Sequence, residues 1–255
     1  MLGRNRIKHL NSLKIKKYRN RYRQFIVEGD KIVSDLLKEG IFIRQLIATR
    51  EWLDTSSIYL KDRAGEIIET GPEEISRVSS LESSPAVLAV VDIPETKLDC
   101  NEISGTWSIA LDTIQDPGNL GNIIRIADWF GIRHLICNEG CADCFSPKVV
   151  QASMGALFRV KIYYAFLPDV LRELRRETEF PVYGTFTGGI PVYEMPVTQR
   201  GMVVFGNESR GISEDLFRFI TSRITIPAGK PDIPHVESLN VASSVAIVCS
   251  VISRA

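Results

Sequence analysis

The sequence predicts an α/β protein in two parts, a smaller α/β domain followed by a mostly parallel sheet with helices on both faces. Short apolar runs alternate with segments whose apolar residues recur at helical spacing, which is the pattern of repeated strand–helix units. Between the two parts, residues 93–106 are polar, contain one Pro and one Gly, and lack periodicity. We therefore predict one domain at 1–95, a linker at 96–106 and a second domain at 107–255.

The first part begins with a predicted helix over residues 4–19, because apolar residues from Ile7 to Ile15 recur close to helical spacing. A later helix opens at Gly71-Pro72, since Pro is favoured in the first turn of a helix. The other elements follow from apolar runs and their length. Strands are predicted at 25–28, 43–49, 66–70 and 86–91, and helices near 30–39 and at 72–82.

The second part contains six apolar runs that are nearly continuous, as expected where a parallel sheet is buried on both faces. Strands are predicted at 107–112, 132–137, 160–164, 181–186, 201–206 and 223–227. Helices are predicted at 120–130, 147–157, 168–178, 213–220 and 238–252. Ligands of such sheets bind beyond the carboxyl ends of the strands, so functional residues are expected there.

Charge is distributed unevenly along a chain whose formal net charge is zero. Residues 1–25 hold nine Lys or Arg and no acid, whereas the rest of the chain carries 22 basic and 31 acidic residues. An electropositive terminus on an acidic body suits a polyanion such as nucleic acid, or an anionic membrane surface.

Several classes of protein are disfavoured. No apolar run approaches the roughly 18 residues of a membrane span, and the basic N-terminus lacks the apolar core of a secretory signal. Its composition is also that of an organelle transit peptide, but it runs directly into the strand-like residues 25–27, so we interpret it as part of the fold. Five cysteines, an odd number, favour a reducing cytosol and predict a cytoplasmic protein.

Zinc-like spacing occurs once, in His134, Cys137, Cys141 and Cys144. His134 and Cys137 fall on a predicted strand, where residues three apart face opposite ways, so the ligands would be separated. No metal site is predicted.

Three segments at predicted strand ends carry polar residues. The first follows the strand 107–112: a Pro-Gly turn opens a helix for which Asn119 or Asn122 is available as the N-cap, and Arg125 follows inside that helix. On position alone, Arg125 is equally well explained as a solvated surface residue. The segment is not a dinucleotide fingerprint, because it lacks the first Gly of GxGxxG.

The second segment, 203–213, follows a buried strand, and its Gly206 would let a ligand approach the backbone closely. Glu208 stands in it as an acid that packing does not explain, although a solvated loop acid beside Arg210 is the alternative. The third segment, 223–243, places Ser238 and Asn240 at the start of a helix. Capping explains only one of these two residues.

Together the three segments resemble the signature motifs of the SpoU/TrmH family of RNA 2′-O-ribose methyltransferases, in the SPOUT class. The matching stretches are 119–127, 205–212 and 237–242, and 147–158 resembles the central helix of the family. The resemblance covers about residues 105–255. Residues 11–29 are similar, less distinctively, to the family's substrate-binding domain. The loop between Pro227 and Ser238 is longer than the family pattern.

The resemblance implies a deep trefoil knot, a homodimer with its active site near the subunit interface, and S-adenosylmethionine as methyl donor, without a metal. The implied catalytic residues are Arg125, Asn119, Glu208, Ser238 and Asn240. The implied donor-binding residues are Phe205, Gly206, Asn207, Ile226, Pro227, Ser238 and Leu239. The concentration of positive charge near the N-terminus adds the predicted RNA-binding residues Arg4, Arg6, Lys8, Lys14, Lys17, Arg19, Arg21 and Arg23.

The implied reaction is the attack of a ribose 2′-hydroxyl, in tRNA or ribosomal RNA, on the methyl carbon of a sulfonium. The hydroxyl must lose its proton, yet a guanidinium stays protonated near neutral pH and is a poor base. We therefore expect Arg125 to activate and position the hydroxyl or a phosphate, with Glu208 and Asn240 orienting it. The alternative is a non-catalytic RNA-binding protein that retains the fold. A nucleotide-dependent oxidoreductase is disfavoured by the missing GxGxxG.

Overall fold

A computed structural model describes residues 2–60, 63–176, 179–196, 198–229 and 236–254. Contacts between residues divide the chain into two compact units. Unit 1 comprises Met1–Glu95 and Asp143–Phe158, and unit 2 comprises Thr96–Ala142 and Arg159–Ala255. The segment 143–158 thus belongs by its contacts to unit 1, although it lies within the span that we predicted as the second domain.

Ten strands and ten α-helices occur in the described part of the chain. The strands are β1 (Gln24–Glu28), β2 (Ile43–Ala48), β3 (Ala64–Glu69), β4 (Val87–Asp92), β5 (Trp107–Leu111), β6 (His134–Cys137), β7 (Lys161–Tyr164), β8 (Val182–Pro191), β9 (Gly201–Phe205) and β10 (Ser222–Thr225). The helices are α1 (Arg4–Ser12), α2 (Lys16–Tyr22), α3 (Asp30–Lys38), α4 (Arg50–Leu60), α5 (Pro72–Ser76), α6 (Cys100–Ser104), α7 (Pro117–Trp129), α8 (Pro147–Ser153), α9 (Leu167–Leu174) and α10 (Val241–Ile252). None of these helices is both long and apolar enough to cross a membrane.

Unit 1 is built on a four-stranded sheet of order β1-β4-β2-β3, in which β4 is antiparallel to both neighbours and β2 is parallel to β3. Leu10 and Leu13 of the N-terminal segment pack with Ile47, Ile75 and Leu88 in one apolar cluster. The four predicted strands are therefore confirmed in position, and the basic N-terminus is part of this unit.

The helices of unit 1 differ from the prediction in four places. The predicted helix 147–157 ends at Ser153 and is followed by a 3₁₀ helix at Ala156–Phe158. The predicted helix 4–19 is two helices, separated at 13–15. The predicted helix 72–82 ends at Ser76. Helix α4 was not predicted, because the weak helix formers at 55–57 interrupt its apolar pattern.

One cation of the basic segment is buried in unit 1. Arg19 is 2% exposed, and its guanidinium donates to the Asp143 carboxylate at 2.5 and 3.1 Å and to the Leu13 carbonyl at 2.8 Å. All three contacts satisfy donors that have lost water. Arg19 was predicted to contact RNA, but its guanidinium is buried against Asp143 and is not accessible to RNA.

Unit 2 contains six parallel strands in the order β10-β8-β9-β5-β6-β7. Ala110 and Val204 contribute to an apolar cluster with residues of α6 and α9. Their neighbours along the strands, Ile109 and Val203, point to the opposite face and are also fully buried. Helices α7 and α10 contact each other. The predicted parallel sheet, covered on both faces, is therefore confirmed.

Several helices of unit 2 differ from the prediction. The predicted linker contains α6, whose first turn is capped by Asp99 accepting from the Asn101 N–H at 2.9 Å. The segment predicted as a helix at 213–220 is a 3₁₀ helix at Glu214–Phe219. Helix α7 is capped by Asp116, which accepts from the Asn119 N–H at 2.7 Å, and not by Asn119 or Asn122.

The Arg19–Asp143 pair predicts a large effect on stability. Asp143→Ala leaves the Arg19 charge buried without its partner, so we expect the free energy of unfolding to fall by about 3–5 kcal/mol. Lys16→Ala, which removes an exposed cation from the same segment, should change it by less than about 0.5 kcal/mol. Urea unfolding followed by circular dichroism measures both. Equal, small effects would show that the pair does not stabilise the fold.

Candidate active site

The Asp112 carboxylate lies just beyond β5 and is 1% exposed. It accepts hydrogen bonds from the Ser213 backbone N–H at 2.7 Å, the Asn138 amide at 2.9 Å and the Thr113 hydroxyl at 3.1 Å. Burial by itself would raise the pKa of Asp112, but these hydrogen bonds outweigh burial and hold the pKa below its usual range. One carboxylate therefore ties together the loops that follow β5, β6 and β9.

Asn207 closes the loop that follows β9. Its backbone exchanges two hydrogen bonds with Gly211, at 3.0 and 2.8 Å. Its side-chain oxygen accepts from the backbone N–H groups of Ser209 and Arg210 at 3.0 and 3.3 Å, and its amide nitrogen donates to the Thr113 carbonyl at 2.9 Å. Thr113 has a φ of 62°, which is uncommon for a β-branched residue. The loop 206–211 is thus a closed unit anchored beside the end of β5.

The space beside Gly206 is filled by the chain itself. A Cβ atom on this residue would lie 2.1 Å from the Gly211 carbonyl carbon and 2.3 Å from the Ile212 nitrogen. The sequence suggested that Gly206 leaves room for a ligand. In the structure, the returning backbone of the same loop occupies that space, and only glycine permits the approach.

Asn119, Glu208 and Asn240, which the motifs assigned to catalysis, form one chain of hydrogen bonds. The Asn119 amide donates to Glu208 Oε1 at 2.6 Å, and Asn119 Oδ1 accepts from the Asn240 amide at 2.9 Å. Asn240 also caps α10, because its side-chain oxygen accepts from the Ala242 N–H at 2.9 Å. The start of α7, the loop after β9 and the start of α10 therefore meet at Asn119.

Arg125 and Ser238 lie outside this chain of hydrogen bonds. Arg125 is on the exposed side of α7, and Ser238 is exposed two residues before the α10 cap. Within the described part of the chain, neither side chain makes a hydrogen bond or ion pair. We expected Glu208 and Asn240 to orient Arg125. In the structure both of them bind Asn119 instead, whose amide offers a donor to one and an acceptor to the other.

The residues assigned to donor binding differ in exposure. Phe205 and Asn207 are buried, and Gly206 lies between them. Ile226 is half-buried and Pro227 is exposed, directly after β10. Leu239 is 48% exposed beside the cap of α10. The longer loop at 230–235 lies outside the described residues.

The cations predicted to bind RNA lie on the two N-terminal helices of unit 1, in the turn between them and at the residue after them. Arg6 forms an ion pair with Glu66 at 2.7 Å, and Lys14 donates to the Ser79 carbonyl at 2.9 Å. The cations on exposed positions are Arg4, Lys8, Lys17, Arg21 and Arg23.

The residues with zinc-like spacing have other surroundings. His134 is buried and stacks on Tyr163, and burial lowers its pKa, so the ring is neutral near pH 7. The Cys141 thiol donates to the Leu111 carbonyl and accepts from the Ile114 N–H, both at 3.3 Å. Among the residues that the structure describes, no group of three His, Cys, Asp or Glu side chains is arranged to hold a metal ion.

Asp112 is a structural residue of the site that the sequence did not single out, and Asn207, which the resemblance assigned to donor binding, holds its own loop together. Their partners are mostly backbone groups, which are common to all residue types. A signal existed for Asp112, an acid placed directly after a strand that is otherwise apolar.

Two family models match the chain. The SpoU rRNA Methylase family matches residues 106–250, and the MRM3-like substrate binding domain matches residues 4–89. The 23S rRNA (guanosine(2553)-2′-O)-methyltransferase RlmP of Bacillus subtilis is 29% identical over 244 residues, covering 95% of this chain and 94% of that protein. The 23S rRNA (uridine(2479)-2′-O)-methyltransferase of Streptomyces viridochromogenes is also 29% identical, with coverage of 89% and 81%.

Solved structures agree over the whole chain. A TrmH-family protein from Porphyromonas gingivalis is 41% identical, with a TM-score of 0.89 and coverage of 100% of this chain and 99% of that one. The SpoU methyltransferase AviRb of Streptomyces viridochromogenes, in complex with AdoMet, is 26% identical, with a TM-score of 0.85 and coverage of 99% and 98%. The resemblance that the motifs predicted is confirmed.

The hydrogen bonds of Asp112 predict a pH-dependent contribution to stability. Asp112→Asn removes the charge and one acceptor, so we expect the free energy of unfolding at pH 7 to fall by about 1–3 kcal/mol. The pKa of Asp112 is lower in the folded chain than in the unfolded chain, where it is about 3.9. The stabilisation is therefore present above the unfolded pKa and is lost as the pH falls through the folded pKa.

Urea unfolding between pH 7 and pH 3 measures the difference in the free energy of unfolding between wild type and Asp112→Asn. This difference should shrink as the pH drops below about 4. Asp169→Asn is the matched control, because Asp169 is exposed on α9 and should contribute less than about 0.5 kcal/mol. A difference for Asp112→Asn that stayed constant to pH 3 would contradict the assigned hydrogen bonds.

Proposed function

The chain belongs to the SpoU rRNA methylase family, and from that premise we propose that it methylates a ribose 2′-hydroxyl of ribosomal RNA with S-adenosylmethionine as donor. The observation that carries the proposal is the hydrogen-bonded chain Glu208–Asn119–Asn240, which joins all three motif segments. The 23S rRNA methyltransferases that resemble this chain do so over nearly its full length. Because those relatives are methyltransferases, catalysis is favoured over RNA binding alone.

We assign the donor site to the loops around Phe205–Asn207, Ile226–Pro227 and Ser238–Leu239. The chemistry of these residues fits the group: exposed apolar side chains of Leu239 and Pro227 suit the faces of a purine ring. Exposed backbone groups beside them offer hydrogen bonds to polar parts of a nucleoside. When bound, S-adenosylmethionine supplies a methyl carbon activated by its sulfonium.

Arg125 is assigned to the acceptor. Arg125 is exposed on α7, the helix that carries Asn119 in its first turn. A guanidinium offers five N–H donors in a plane, which can hold a phosphate and stabilise an oxygen that is losing its proton. Glu208 and Asn240 act through Asn119, which they hold in one orientation. Ser238 is assigned a polar contact to the donor or to the ribose.

Further proposals rest on the family resemblance. We propose a homodimer with the active site near the subunit interface, consistent with the exposure of Trp129 at the end of α7. We propose a trefoil knot formed around the loops that meet at Asn119. The division into an RNA-binding domain at 1–95 and a methyltransferase domain at 107–255, and a cytoplasmic location favoured by free cysteines, are proposals of the same kind.

The proposed function is tested by incubating the purified protein with tritiated donor and ribosomal RNA from cells that lack the gene. We expect incorporation at a single ribose, because a fitted active site selects one substrate geometry. A 2′-O-methyl group blocks alkaline cleavage of the next phosphodiester bond, so the label should be recovered in an alkali-resistant dinucleotide. Label in a mononucleotide, or none in any RNA despite donor binding, would contradict the proposal.

Arg125→Ala tests the acceptor assignment. We expect the single-turnover rate of methyl transfer to fall by about 100-fold or more, because the residue acts on charge that develops in the transition state. Donor affinity, measured by calorimetry, should change little, since other loops bind the donor. Arg125→Lys should also be impaired, because it loses the planar fork.

Arg176→Ala is the matched control for charge. Arg176 follows α9 and is an exposed cation that pairs with Glu173 of that helix. Its rate should stay within about twofold of wild type. Near-normal transfer by Arg125→Ala, with the product mapped to the ribose, would remove Arg125 from the mechanism and leave the family function intact.

A further inference from the structure

One side of α2 and its N-cap residue carries apolar and aromatic side chains, of which Ile15 and Tyr22 are exposed and Tyr18 is half-buried. Ile15, Tyr18 and Tyr22 recur at spacings of three and four residues, which places them on the same side of the helix. Ile15 is 54% exposed and Tyr22 is 40% exposed. Arg19, on the neighbouring side, is buried and anchors the helix through Asp143.

The two tyrosine rings on this side lie nearly parallel to each other. Tyr18 and Tyr22 lie with centroids 6.3 Å apart and planes 15° apart. His9 of α1 meets the Tyr22 ring edge-on at 4.8 Å, which fixes the ring, and the Arg21 guanidinium lies 5.6 Å from its centroid. A fixed ring with a large exposed area loses little side-chain freedom when a flat partner binds.

Positive charge surrounds these rings. Lys16, Lys17, Arg21 and Arg23 are all exposed, and the first acid of the chain is Glu28, which is buried. Exposed aromatic rings among cations, with no nearby acid in the sequence, match the two parts of a single-stranded nucleic acid: flat bases and phosphates. A membrane surface would supply the negative charge but no flat rings.

We propose that Tyr22, with Tyr18 and Arg21, is a stacking site for an unpaired nucleobase of the RNA substrate. The inference rests on the proposed function for the identity of the polymer, and it adds that the RNA is recognised at a loop or bulge. Bases within a duplex are stacked on one another and cannot deliver a face to Tyr22, whereas unpaired bases can. The neighbouring cations hold the phosphates on either side.

The test compares the affinity of two fluorescein-labelled RNAs of equal length and charge, a hairpin with a seven-nucleotide loop and a perfect duplex. Tyr22→Leu removes the ring and keeps apolar bulk, so hairpin affinity should fall about 5- to 100-fold. Duplex affinity should stay within about twofold. The slope of hairpin affinity against log salt should not change, because no phosphate contact is lost.

Tyr22→Phe keeps the ring and should retain hairpin affinity. Tyr193→Leu is the matched control, since it removes a tyrosine of unit 2 that is likewise exposed. Equal losses for hairpin and duplex, or no loss for either, would overturn the stacking site. If the wild type binds neither RNA, the proposed function fails together with the stacking site. If it binds the hairpin but Tyr22→Leu has no selective effect, only the stacking site fails.

A second measurement uses the unaltered protein and does not depend on how a variant folds. The hairpin carries 5-bromouridine in its loop and is cross-linked by ultraviolet light, and the modified peptide is identified by mass spectrometry. We expect the adduct on Tyr22 or Tyr18. Adducts confined to other parts of the chain would overturn the proposal.

Discussion

Three loops of unit 2 meet beyond the carboxyl end of β5, and the buried Asp112 carboxylate holds them there. Backbone N–H groups that lose water on folding need an acceptor, and a charged acceptor forms stronger hydrogen bonds than a neutral one. Asp112 accepts from Ser213, which fixes the returning side of the loop 206–211. Glu208, at the exposed end of that loop, can then reach Asn119. The positions of these loops therefore depend on Asp112, a residue to which no part in the reaction is assigned.

The strands were predictable to a greater extent than the helices. Strands buried on both faces leave continuous apolar runs, so all six strands of unit 2 overlap their predicted ranges, although β8 continues to Pro191, past the predicted end at 186. Helix ends depend on single polar contacts. The sequence suggested Asn119 or Asn122 as the cap of α7, but the helix begins at Pro117 and is capped by Asp116. A sequence pattern carries no information about which of several possible partners is taken.

The candidate site shows the same division. Motif order predicts that Asn119, Glu208 and Asn240 lie together, and their hydrogen bonds join them. It does not predict that Arg125 stays outside. In the basic segment, composition counts charges without telling which are buried. Arg19 is indistinguishable in sequence from the cations beside it, yet it forms a buried pair with Asp143, which lies more than a hundred residues along the chain.

Asn119 and Asn240 use their hydrogen-bonding groups within the described part of the protein, whereas Arg125 does not, and this difference matches their proposed roles. Asn119 uses its donor and its acceptor inside the protein, and Asn240 also caps α10, so both are oriented before any substrate binds. Such fixed groups define where substrates can lie. Arg125 is exposed and makes no hydrogen bond or ion pair with a residue that the structure describes, so its five donors are open to solvent and to a bound substrate. In the proposed mechanism, the bonded residues set position, and Arg125 is the group whose interaction strengthens as negative charge develops on the attacking oxygen.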